Sequence, residues 1–135
     1  MKKILLLITS VFLLSCFSYS VSAQEKKEVQ LKATAMAKDR GANANIKMAR
    51  PTKDVKMAEP EKSRGYCCPT FVNHTGYYVD MYIDGNYYGT LYPYGTYEVC
   101  VFPGYTKIYC ETTGGSLYWK SDGDCNTSFF YHLNY

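Results

Sequence analysis

The chain reads as an all-β protein, a small antiparallel β-sandwich or open barrel of about seven strands preceded by a disordered linker. Three observations predict this. After Tyr66, short runs rich in Tyr, Val, Thr and Phe alternate with clusters of Gly, Pro, Asn and Asp. No apolar repeat of helical period competes with them. Composition also turns over at that point, because residues 24–65 contain no aromatic residue and few large aliphatics.

The first 23 residues, MKKILLLITSVFLLSCFSYSVSA, carry two lysines, an apolar run from Ile4 to Leu14 and a small-residue site at Val21-Ser22-Ala23. This is the pattern of a secretory signal peptide cleaved before Gln24. The run is shorter than the roughly 20 residues a membrane span needs, and no later segment is more apolar, so no transmembrane segment is expected. A second reading takes Leu-Leu-Ser-Cys as a lipoprotein box, with the chain anchored through Cys16. Either way the protein is expected to be exported, to the periplasm, the exterior or the cell surface.

Residues 24–65 are rich in Lys, Ala and Glu and offer little to bury, so they are expected to form a disordered linker. Within them IKMARPTKD, from Ile46, is followed by the near-repeat VKMAEPEKS, from Val55. Pro51 and Pro60 exclude a continuous helix. The repeat is readable as a spacer grown by duplication or as a Lys-rich tether for anionic surfaces. Charge divides in the same place: eleven basic against six acidic residues in 24–65, but two against six from Tyr66 onward. An acidic folded half argues against nucleic acid as a partner.

The domain at 66–135 shows seven candidate strands, near 67–72, 77–83, 86–92, 96–102, 105–112, 116–121 and 127–134, with turn signals between them. One of these, Asp84-Gly85, predicts a type I′ hairpin in which Tyr82 faces Tyr87, Met81 faces Tyr88 and Asp80 faces Gly89. Alternation then turns Val79, Met81, Ile83 and Tyr88 toward a core. Tyr78, Asp80, Tyr82, Tyr87 and Leu91 point the other way, as an aromatic platform around one carboxylate. Tyr82 with Tyr87 is a stabilising cross-strand pair worth about 0.2–1 kcal/mol. The same rings also offer flat apolar area with a polar rim to a sugar or a protein. The candidate binding residues are therefore Tyr78, Asp80, Tyr82 and Tyr87, with Tyr92 and Tyr94 on the next loop.

The stretches VDMYIDGNYYGTLYPYG and YEVCVFPGYTKIYC, from Val79 to Cys110, resemble the PEGA domain family of small bacterial β-sandwich modules. The matching positions are Asp84-Gly85, Gly89-Thr90, Pro93 and Pro103-Gly104-Tyr105. The eponymous Pro-Glu-Gly-Ala is absent; Asn73-His74-Thr75-Gly76 precedes the first matching strand. The resemblance implies an extracytoplasmic, non-catalytic accessory module and transfers no catalytic residue.

A core this small is expected to need cross-links, and exported cysteines usually pair. With successive antiparallel strands, Cys67, Cys68, Cys100 and Cys125 fall at one pole, which predicts two bridges joining Cys67 and Cys68 to Cys100 and Cys125 in an open order. Cys110 shares parity with Ile108 and is expected in the core as a free thiol. A zinc site from these cysteines with His74 or His132 matches no familiar spacing. Asp122-Gly123-Asp124 opens like a calcium loop, but Thr127 and Leu133 stand where glycine and the closing glutamate belong, so a turn is expected. No nucleophile elbow, phosphate loop or paired-carboxylate signature occurs, and neither catalysis nor a cofactor is expected. The expectation is a non-catalytic binding module for a polysaccharide or an envelope protein. The alternative is a structural or assembly component of an envelope complex.

Overall fold

The β-rich runs are long enough to form ladders, and in Val79–Ile83 the apolar residues Val79, Met81 and Ile83 alternate, so one face of such a strand can be buried. A computed structural model describes residues 26–37, 43–52 and 66–135. Nine strands occur among them: β1 (Lys27–Lys32), β2 (Thr34–Ala35), β3 (Thr70–Asn73), β4 (Val79–Ile83), β5 (Asn86–Leu91), β6 (Thr96–Glu98), β7 (Gly104–Thr112), β8 (Leu117–Cys125) and β9 (Phe129–Asn134). They build a four-stranded sheet in the order β1-β9-β3-β6 and a five-stranded sheet in the order β2-β8-β7-β4-β5. The two sheets close on a single core as a sandwich, in which Phe71, Met81, Ile83, Trp119 and Leu133 are sealed from solvent. The Trp119 indole donates to the carbonyl of Asn134, 2.7 Å away, which satisfies its one polar atom.

Three features depart from the sequence expectation. Lys27–Lys32 and Thr34–Ala35, assigned by composition to a disordered linker, are strands. Val29, Leu31 and Ala33 alternate there with polar residues and pack on the core, and β9 and β8 offer the main-chain partners. The rest of that linker divides: Asn43–Thr52 is held against the five-stranded sheet, whereas 38–42 and 53–65, like the leader with Cys16, lie outside the described residues. Second, the ladders are not all antiparallel, because β9 runs parallel to both β1 and β3. Third, Asp122-Gly123-Asp124 is no turn: β8 continues to Cys125, held by pairing of Lys107 with Asp122 and Tyr105 with Asp124 on β7.

The structure resolves the order of the cysteines. Cys67 is bridged to Cys125 and Cys68 to Cys100, while Cys110 is a buried free thiol among the core residues. Burial pushes that thiol well above its ordinary range, so it is not a nucleophile. Among the described residues no helix is long and apolar enough to cross a membrane.

Removing the Cys67–Cys125 bridge by paired alanine substitution is expected to cost about 2–4 kcal/mol, read from urea unfolding. The Cys68–Cys100 bridge closes a separation of 32 residues against 58, so its loss should cost about 0.5 kcal/mol less. In the oxidised chain from Gln24, Cys110 should react with a thiol reagent only once the domain unfolds.

Candidate functional site

The hairpin at Asp84-Gly85 forms with both central residues at positive φ, 52° and 85°, as a type I′ turn requires. Ile83 faces Asn86 and Tyr82 faces Tyr87, but Met81 then faces Gly89, Asp80 faces Thr90 and Val79 faces Leu91. A β-bulge at Tyr88 shifts the register by one from the expected pairing, and Gly89 beside it has a φ of 142° that suits only glycine. The shift leaves β4's own faces unchanged. Val79, Met81 and Ile83 are core, and Tyr88 packs against them.

The opposite face of β4 is not the exposed platform that alternation suggested. Asp80 and Tyr82 are buried and Tyr87 is half-buried, while Leu91, expected on this face, is turned by the bulge to stand opposite Val79 in the core. Four rings cross the sheet as a ladder, Tyr87 to Tyr82 to Tyr109 to Tyr118, with centroids 5.7, 6.1 and 5.9 Å apart on β5, β4, β7 and β8. Over this ladder lies Asn43–Thr52. Lys47 and Met48 donate their main-chain N–H groups to the Gly85 carbonyl, at 2.9 and 3.0 Å. The Asn43 amide donates to the Tyr109 hydroxyl at 2.8 Å, and Arg50 stands 3.7 Å from the Asp80 carboxylate. Asp80 also accepts from Thr90, and the Tyr109 hydroxyl donates to Glu111. Burial, then Asp80 and Glu111, push the Tyr82 hydroxyl up to about 12, with Arg50 pulling the other way.

A second group of tyrosines gathers at the pole where β3 leads into β4 and β5 into β6. Asn73 organises it, using both donors and both acceptor positions of its amide. Its Nδ2 donates to the carbonyls of Tyr77 and Tyr92, at 2.8 and 2.9 Å, and its Oδ1 accepts from the N–H and hydroxyl of Thr75. These bonds lock the 74–78 and 92–95 loops together, and Asn73 and Thr75 are fully enclosed. Tyr78 meets Tyr92 edge-on with centroids 5.6 Å apart, and Tyr77 meets Tyr135 at 6.1 Å. Tyr94 stands in the turn closed by the bond from the Gly95 N–H to the Tyr92 carbonyl, at a φ of 56°. That conformation costs a non-glycine residue about 1–2 kcal/mol, yet the ring it presents is 73% exposed. On the neighbouring four-stranded sheet, His74 and His132 stack with ring nitrogens 2.8 Å apart.

The six candidate residues thus separate into two places. Tyr78, Tyr92 and Tyr94 are exposed together at the pole, whereas Asp80, Tyr82 and Tyr87 lie in the ladder under Asn43–Thr52. The sequence reading missed Tyr77 and Tyr135 at the pole and Tyr109 and Tyr118 in the ladder. Register with β7 was the signal for Tyr109, since it pairs directly with Tyr82. Tyr135 carried no local signal. Among the described residues no three His, Cys, Asp or Glu side chains converge as a metal cluster. Comparison with protein-family models, curated proteins and solved structures finds no match to this chain.

Two outcomes follow. Asn73→Ala should lower stability by at least about 2 kcal/mol in urea unfolding, because it removes four hydrogen bonds at once and leaves the enclosed Thr75 N–H and hydroxyl without their acceptor. Folded Tyr82 also holds its proton more tightly than the unfolded chain, whose value is 10. That contribution is whole below pH 10 and disappears as pH rises through about 12. Stability measured across this window should fall, and Tyr82→Phe should flatten the fall.

Proposed function

We propose that this chain is an exported, non-catalytic binding module whose exposed tyrosine pole takes a polysaccharide of the cell envelope. The observation that carries the reading is Tyr94, held at positive φ on an anchored turn beside Tyr77, Tyr78, Tyr92 and Tyr135. Local strain kept at an exposed aromatic residue is what a presented contact needs and what stability alone would remove. Rigid tyrosines supply flat apolar faces for sugar rings and hydroxyls for their edges, at small entropic cost. The two disulfides suit an oxidising compartment. With the leader at 1–23 this supports export as a periplasmic or surface protein; anchoring through Cys16 is the alternative. The resemblance to PEGA modules points to the same non-catalytic class.

The test is a glycan and peptidoglycan screen with the oxidised chain from Gln24, beside Tyr94→Gly and Tyr92→Ala. Tyr94→Gly should leave the domain as stable or up to about 1 kcal/mol more stable, by relief of strain, while weakening ligand binding at least tenfold. Absence of any glycan binding by the parent chain overturns the polysaccharide reading. If sedimentation then shows self-association that Tyr92→Ala weakens, the pole is an assembly contact between proteins.

A further inference from the structure

We propose that the tyrosine ladder of the five-stranded sheet is a second recognition site, for a short peptide carrying arginine, and that Asn43–Thr52 is its resident intramolecular occupant. The occupant is seen seated. It joins the hairpin through two main-chain bonds to one carbonyl, reaches Tyr109 with Asn43 and sets Arg50 against Asp80. Charges complement: Lys47 and Arg50 come from the basic half of the chain, and Asp80 and Glu111 face each other on β4 and β7.

The attachment is also separable from the fold. No residue of 43–52 belongs to the hydrophobic core or packs against it, whereas Val29, Leu31 and Ala33 of the first strands do. Arg50 remains half exposed while its partner Asp80 is buried, so the cation enters from solvent onto an acid already held in the sheet. Met48 is 62% exposed and is held through its main-chain N–H, not by burial of its side chain. A segment fastened by a few polar contacts over a sheet that is complete without it exchanges more readily than a strand in a ladder. Gly85 makes the approach close: a Cβ there would stand 2.7 Å from the Lys47 side chain.

The sequence supplies its own control. The near-repeat from Val55 keeps the Lys-Met-Ala core but has Glu59 where the first copy has Arg50. If the ion pair with Asp80 selects the ligand, the two peptides differ sharply.

The experiment titrates a fluorescently labelled peptide IKMARPTKD into the disulfide-intact chain from Gln24 to Tyr135. In the parent chain the resident segment competes, so binding is weak. Arg50→Glu should release it and tighten binding of the labelled peptide at least tenfold; Arg50→Ala serves as a milder release. Adding Asp80→Asn to either variant should reverse the gain, and VKMAEPEKS should not bind. Amide exchange at Lys47 and Met48 reports release directly, and thermal unfolding reports that each variant is folded. The proposal is overturned if those amides stay protected in both Arg50 variants. It is equally overturned if neither released chain binds the peptide, or if the Arg and Glu peptides bind alike. None of these readouts involves Tyr92 or Tyr94, so the site stands or falls separately from the glycan reading.

Discussion

Two adjacent cysteines set the frame on which the rest of the domain hangs. Neighbouring residues in extended chain point to opposite sides, so Cys67 turns inward and Cys68 turns out. Cys67 reaches Cys125 at the end of β8 and thereby ties the approach to the four-stranded sheet to the five-stranded one. Cys68 reaches Cys100, just after β6, beside the isolated bridge between Cys67 and Val101. A core as small as this one leaves little stability after ordering entropy, and closing two long loops in the unfolded chain offsets part of that entropy. With this end fixed, the opposite pole carries the loops in which Tyr77, Tyr78, Tyr92 and Tyr94 are exposed.

The strands were legible wherever a local rule determined them. Asp84-Gly85 demands positive φ at two positions, which only a primed turn accommodates, and the faces of Val79, Met81 and Ile83 follow from counting by two. Legibility ended where structure depended on distant partners. The bulge at Tyr88 lies in a run whose composition is equally good for regular pairing. The parallel placement of β9 between β1 and β3 joins segments about as far apart as the domain allows, and adjacency in sequence favours the opposite sense. Lys27–Lys32 fails a compositional test for order because most of its side chains are polar. It is ordered nonetheless by an existing strand that supplies the ladder and a core that accepts Val29 and Leu31.

The tyrosines show the same limit. One residue type fills three roles: Tyr131 stacks on Phe71 in the core, Tyr82 and Tyr109 form the covered ladder, and Tyr92 and Tyr94 stand in solvent. Parity separates the first from the rest. It cannot separate the second from the third, because the cover over the ladder comes from residues thirty or more positions earlier in a segment of opposite charge. An acidic sheet face and a basic tether in one chain attract over short range, and the tether's high effective concentration makes the intramolecular pairing the default.

The two surfaces meet along β4 and the residue just before it, Tyr78. Tyr78 stands at the pole, Asp80 two residues on receives Arg50, and Tyr82 two residues further begins the ladder. At about 3.3 Å per residue these positions span roughly 13 Å of one strand face. While Asn43–Thr52 is seated, its arginine divides this strip and the pole is the only open aromatic part of it. With the segment released, Tyr92, Tyr78, Tyr82 and Tyr109 would form a continuous row with a carboxylate between the second and third rings. Ligands for the pole and for the ladder would then touch at Asp80, so occupancy of one site bears on the other through a charge that both approach. The arrangement needs no conformational change in the sandwich itself, since every ring in the row is already set by main-chain pairing or by the Asn73 clamp.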